Sequence, residues 1–167
     1  LLDWLAVKFR DSGWSLKRLH RLIVSSATWR QSSALRSSLL ERDPYNTWSA
    51  RQNRLRVEAE IIRDMALASS GLLHYQVGGP SVYPPQPEEL VKLGFQKSLS
   101  WPNSSGPDKY RRGIYTFFRR TVPYPMFVQF DAADSNTSCT KRDRSNTPLQ
   151  ALTLWNDPVL MECFQAL

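Results

Sequence analysis

Apolar residues Leu2, Leu5, Ala6 and Phe9 recur at helical spacing, and Gly13 supplies a stop, so a first helix is expected over residues 1–12. Ser15 then caps a second helix reaching about Ala27, with Leu16, Leu19, His20, Ile23 and Ala27 as its stripe. Lys17, Arg18 and Arg21 fall off that stripe and are expected to face water. So short a connection predicts an antiparallel helical hairpin. Residues 28–38 are polar and Ser-rich and read as loop, followed by a short helix to Arg42 and a turn at Pro44. The next long periodic segment runs from about Val57 to Ser70, with Val57, Ile61, Met65, Ala68 and Leu72 as its expected buried stripe and Gly71 as its stop. Glu58 and Glu60 fall in its first turn, where negative charge suits the helix dipole.

The pattern then changes. Five of the eleven prolines lie between Pro80 and Pro102, which predicts a long excursion with one short helix near residues 88–93. Its aromatics, Tyr75, Tyr83, Phe95 and Trp101, argue that it packs down. Ile114 to Phe118 is β-branched and aromatic, so strand is the local preference there, with a helix as the alternative. A short helix follows over 126–130 and a loop over 131–138. Thr147-Pro148 and Asp157-Pro158 each place a capping residue before a proline, the arrangement that opens a helix. The fold class is therefore mainly α: an irregular helical domain with long Pro-rich loops and at most a small β element. Helices near 1–12, 15–27, 57–70 and 148–155 are expected to build its core. Residues 1–167 read as a single domain, and as a fragment of a larger domain in a larger parent, because the first residues already look like the inside of a helix.

The 167 residues are 41% hydrophobic and 22% charged, the balance of a globular chain. No apolar run approaches the ~20 residues of a membrane-spanning helix. The net charge of +7 is uneven: residues 1–56 carry eleven Lys and Arg against four acids. Such an excess favours anionic partners through long-range attraction. Cys139 and Cys163 are the two cysteines, and a single pair leaves both the thiol and the disulfide state open. Neither zinc spacing nor a Cys-x-x-Cys-His haem attachment site is present, so no metal and no cofactor is expected in this segment.

Several stretches carry a family resemblance. They are Leu1-Leu2-Asp3-Trp4-Leu5-Ala6, the run from Leu19 to Ser33, the run from Arg54 to Asp64, Gly78-Gly79-Pro80-Ser81-Val82, the run from Arg111 to Phe117, and Asn146-Thr147-Pro148-Leu149-Gln150-Ala151-Leu152. In that order they resemble the planctomycete domain of unknown function numbered 1553, which accompanies cytochrome-c-like domains. The resemblance covers nearly the whole chain and begins partway into that domain. It implies a large exported parent, periplasmic or at the cell surface, with any haem confined to other domains. It brings no catalytic residue to carry over.

Three sets of residues are chemical candidates. His20 lies on an apolar stripe, where a packed core residue is the plain reading and a general base or metal ligand the functional one. Glu60 and Asp64 stand four apart on one helical face, suited to acid–base work with His20 or to ion pairs with local arginines. Arg111, Arg112, Arg119, Arg120, Lys141, Arg142 and Arg144 form the basic set, interleaved with Tyr115, Phe117 and Phe118. If they share one face they would bind an anion such as acidic or sulfated polysaccharide. The exported parent that the resemblance implies disfavours nucleic acid. The expected function is a non-catalytic interaction or structural module docking to other domains of its parent, with a hydrolase or redox-accessory enzyme using His20, Glu60 and Asp64 as the alternative.

Overall fold

The helix signals in the sequence are realised almost where they fall. A computed structural model describes residues 1–87 and 100–167. The expected helix near 88–93, and Phe95, lie outside the described residues. Seven α-helices and no strand occur among the described residues: α1 Leu2–Asp11, α2 Leu16–Ser25, α3 Ser37–Arg42, α4 Ala59–Ser69, α5 Pro125–Gln129, α6 Pro148–Asn156 and α7 Pro158–Ala166. The fold is mainly α. The chain forms two compact units, Leu1–Leu55 and Arg56–Leu167.

In the N-terminal unit α1 and α2 make the expected hairpin. Gly13 takes a left-handed conformation that ends α1, and the Ser15 hydroxyl accepts the Arg18 amide at 3.4 Å to start α2. Lys17, Arg18 and Arg21 face water as expected. The α2 stripe is only partly covered: Leu19 and Ile23 are half-buried, while Leu16, His20 and Ala27 are exposed. Two helices leaning together cover one flank of each, so this unit has no buried apolar side chain. Its fixed point is polar. The buried Asp43 carboxylate accepts the amides of Thr47 and Trp48 and the Thr47 hydroxyl at 2.7–2.8 Å. Those bonds, led by the one from Trp48, hold Asp43 below the ordinary carboxylate range.

The core belongs to the C-terminal unit. Ala59, Trp101, Tyr124, Met126, Phe127, Phe130 and Leu160 form one cluster, and Leu67, Val159 and Cys163 a second. Its spine is aromatic: Phe117 stacks on Tyr83, Tyr83 meets Trp101 edge-on, Trp101 stacks on Tyr124, and Tyr124 meets Phe127 edge-on, with centroids 4.8–6.3 Å apart. Tyr83 and Trp101 thus pin the Pro-rich excursion inward, and the Trp101 indole donates to the Pro84 carbonyl at 2.8 Å. Tyr75 stays exposed.

Three expectations are corrected. On α4 the buried positions are Ala59, Arg63 and Leu67, whereas Met65 is 59% exposed and Ile61 also faces outward. Residues 114–118 form no strand: a 3-10 turn covers Gly113–Tyr115, and only isolated bridges join Val82 to Thr116 and His74 to Arg111. Gly113 lies against α4 at the head of this segment and the chain turns there, so that only Thr116 reaches Val82 as a bridge. The core draws on α4, α5, α7 and the aromatic loop rather than on α1 and α2, while α6 buries only Gln150.

Candidate functional site

The acidic face of α4 arises from its first two turns, where Glu58, Glu60 and Asp64 project beside the buried stripe. Each holds an arginine from far along the chain. Glu58 meets Arg144 at 2.9 Å. Both Glu60 oxygens take Nη1 of Arg142, at 2.7 and 3.0 Å. Asp64 takes Nε of Arg112 at 2.7 Å and, through its other oxygen, the Gly113 amide at 2.6 Å. Hydrogen bonding to Arg144 is the largest influence holding Glu58 below the ordinary range. Gly113 lies flat on α4: a Cβ there would stand 2.8 Å from Glu60 Cα and carbonyl oxygen. Beside this face Arg56 pairs with Asp131 and donates to the carbonyls of Ser145 and Phe130 at 2.9 and 3.1 Å. Asp131 also accepts the Ser145 amide at 2.8 Å. These pairs fasten the 111–113 turn and the 131–145 loop onto one helix.

The basic set divides. Arg111 is 1% exposed, stacked 3.9 Å over the Tyr115 ring, with its guanidinium donating to the carbonyls of Gly78 and Pro80. Arg112, Arg142 and Arg144 are the ion-paired residues just described. Arg119 is half-buried, donates to the Ser100 carbonyl at 3.0 Å and lies over Trp101 and Phe117. Arg120 and Lys141 are exposed. Of the catalytic candidates, Glu60 and Asp64 stand together on α4, while His20 is an exposed residue of the N-terminal unit. Among the described residues no group of three His, Cys, Asp or Glu is placed to hold a metal ion. Cys139 and Cys163 are both free, the first exposed and the second buried.

Two of the concave surfaces among the described residues lie one in each unit. A cleft of ≈ 200 Å³ opens beside the Glu60–Arg142 pair, lined also by Gly113, Thr116, Phe118, Phe127, Ala132 and Ala133. Within the N-terminal unit, a groove of ≈ 370 Å³ runs between the hairpin and residues 46–53, lined by Trp4, Leu5, Leu22, Ile23 and Trp29 on its apolar side.

A family model described as "PSD1: Protein of unknown function (DUF1553)" matches residues 1–167. The chain belongs to the PSD1 family. No curated protein and no solved structure matches it. Within this PSD1 chain three of the stretches that carry the resemblance, 54–64, 78–82 and 111–117, prove to be structural neighbours. Gly78 and Pro80 hold Arg111, Val82 bridges to Thr116, and Asp64 holds Arg112 and Gly113.

Sequence reasoning missed three features. The N-terminal groove escaped notice because its residues were assigned to the core. Arg63 is fully buried on α4, with Nη2 donating to the Lys109 carbonyl at 2.6 Å and two nitrogens without a partner. The Tyr124 hydroxyl donates to the buried Asp157 at 2.7 Å. Burial, and then the Asp157 charge, push that hydroxyl's pKa well above the ordinary tyrosine range. The only sequence signal for any of these was Asp157 before Pro158, which marked the cap and not its partner.

Proposed function

We propose that this chain is a non-catalytic interaction module whose working surface is the groove of the N-terminal unit. The observation that carries the reading is the exposure of Trp4, Val7, Trp14, Leu22, Val24, Trp29 and Trp48 within a unit of 55 residues that buries no apolar side chain. Of these, Trp4, Leu22 and Trp29 line the groove, and exposed apolar residues at a groove mark a place where another surface packs. Aromatic residues are also the usual anchors of such contacts.

Charge selects the occupant. Residues 1–56 carry eleven Lys and Arg against four acids, so the like-charged N-terminal unit of a second copy would be repelled. The partner is a protein surface with an apolar centre and an acidic rim, such as a neighbouring domain of a larger parent. The α4 carboxylates have a sufficient role as counter-ions of Arg112, Arg142 and Arg144, which favours this reading over hydrolysis by His20 with Glu60 and Asp64. An anionic polysaccharide at the 111–144 basic set has weaker support, since most of that set is buried or ion-paired.

The test is a tryptophan-fluorescence titration with a synthetic amphipathic helical peptide of leucine and glutamate. Saturable binding, weakened at least tenfold in Trp4→Ala/Trp29→Ala, is expected. Absence of binding overturns the reading. So does equal binding of a scrambled peptide of the same charge, or tighter binding of a sulfated polysaccharide that the double variant leaves unchanged.

A further inference from the structure

We propose that the cleft beside α4 is a binding site for a neutral polyhydroxylated ring, a single sugar unit. Its chemistry is mixed in the way such a ligand requires. Glu60 offers carboxylate lone pairs, and Arg142 spends only Nη1 on Glu60, so its Nε and Nη2 make no hydrogen bond among the described residues. Thr116 lines the cleft and is 9% exposed, and its buried hydroxyl has no hydrogen-bond partner among the described residues. An unsatisfied buried hydroxyl costs about 1–3 kcal/mol. A χ1 rotation that brought this hydroxyl to a ligand hydroxyl in the cleft would remove that cost on binding.

The remaining wall is apolar. Half-buried Phe118 and the buried Phe127 line it with aromatic carbon, and Ala132 and Ala133 add small apolar patches. A sugar ring has polar edges and apolar C–H faces. The weakly positive C–H groups suit the negative face of an aromatic ring. Size agrees: ≈ 200 Å³ is smaller than the ~300–1,000 Å³ of drug-sized sites, so it takes one ring.

Charge argues for neutrality. A charged ligand would have to compete with the Glu60–Arg142 pair, which also holds the 139–145 loop to α4. A polyol accepts from Arg142 and donates to Glu60 with the pair intact. The cleft also shares Ala132, Ala133 and Arg142 with an open basin of ≈ 430 Å³ lined by Asp134, Ser138, Thr140, Lys141 and Asp143. A ring in the cleft can therefore continue into a polar groove as a longer glycan. This inference is independent of the N-terminal docking surface.

The experiment is saturation-transfer NMR on the whole chain with the methyl glycosides of glucose, galactose and mannose, and with glycine and sulfate as charged probes. At least one glycoside is expected to give transfer and a millimolar Kd. Thr116→Val, which keeps the side-chain shape, is expected to weaken it about tenfold, and Phe118→Ala to abolish it. Circular dichroism confirms that each variant is folded, and the leucine–glutamate peptide still binds both. No transfer from any glycoside overturns the proposal. Transfer unchanged in Thr116→Val and Phe118→Ala, or displacement of the glycoside by glycine or sulfate, overturns it as well.

Discussion

At the scale of single residues, several charges of the C-terminal unit are anchored by distant partners rather than displayed. Asp131 is the clearest case. Burial alone would raise its pKa, but the Ser145 amide and hydroxyl and the Arg56 guanidinium outweigh burial and hold it below its ordinary value of 3.8. A carboxylate with a depressed folded-state pKa contributes stability that is present above its unfolded value. That contribution is lost as pH falls through the lower folded value. The chain is therefore expected to lose stability as pH falls through and below 3.8, the ordinary value for this carboxyl. Asp131→Asn is expected to be less stable at pH 7 and to lose less over that window, followed by urea unfolding. An identical acid slope in the variant would show that Asp131 contributes nothing. This anchoring was only half legible. The four-residue spacing of Glu60 and Asp64 pointed to local arginines as partners, and Arg54, Arg56 and Arg63 were the local choices. The partners came instead from Arg112 and Arg142, 48 and 82 residues away. Nothing in a single sequence encodes such a separation.

At the scale of elements, helix ends were readable and helix faces were not. Thr147 and Gln150 form a capping box around Pro148, and Asp157 accepts the amides of Val159 and Leu160 at 2.9–3.0 Å, as the capping signals required. The face of α4 was misassigned because its most buried long side chain is Arg63 and its smallest is Ala59, which admits the close approach of the aromatic core. Hydrophobic periodicity counts Ile61 and Met65 as core and cannot foresee a buried arginine. The two assignments differ measurably. Leu67→Ala is expected to cost about 2–5 kcal/mol. Met65→Gln is expected to stay within about 0.5 kcal/mol, as exposed substitutions do. Equal losses in a denaturant series would restore the original stripe.

At the scale of the whole molecule, the two units differ in kind. Residues 56–167 carry the buried core and the aromatic spine, and four arginines there, Arg56, Arg112, Arg142 and Arg144, pair with carboxylates of the same unit. Residues 1–55 carry exposed tryptophans, a large share of the basic residues and a groove. The mainly α class was legible because helix caps and apolar repeats recur along the chain. The division was hidden because exposed and buried apolar residues look alike in a sequence.

The account rests on the α4 carboxylates being fasteners for distant loops. Amide hydrogen exchange of Asp64→Asn tests that most directly, read at Gly113, whose N–H donates to the Asp64 carboxylate. The account expects Gly113 and its neighbours from 111 to 116 to exchange at least tenfold faster than in the unaltered chain, with the helix α7 amides unchanged. Unaltered exchange at Gly113 would contradict it, and would free Asp64 for a chemical role.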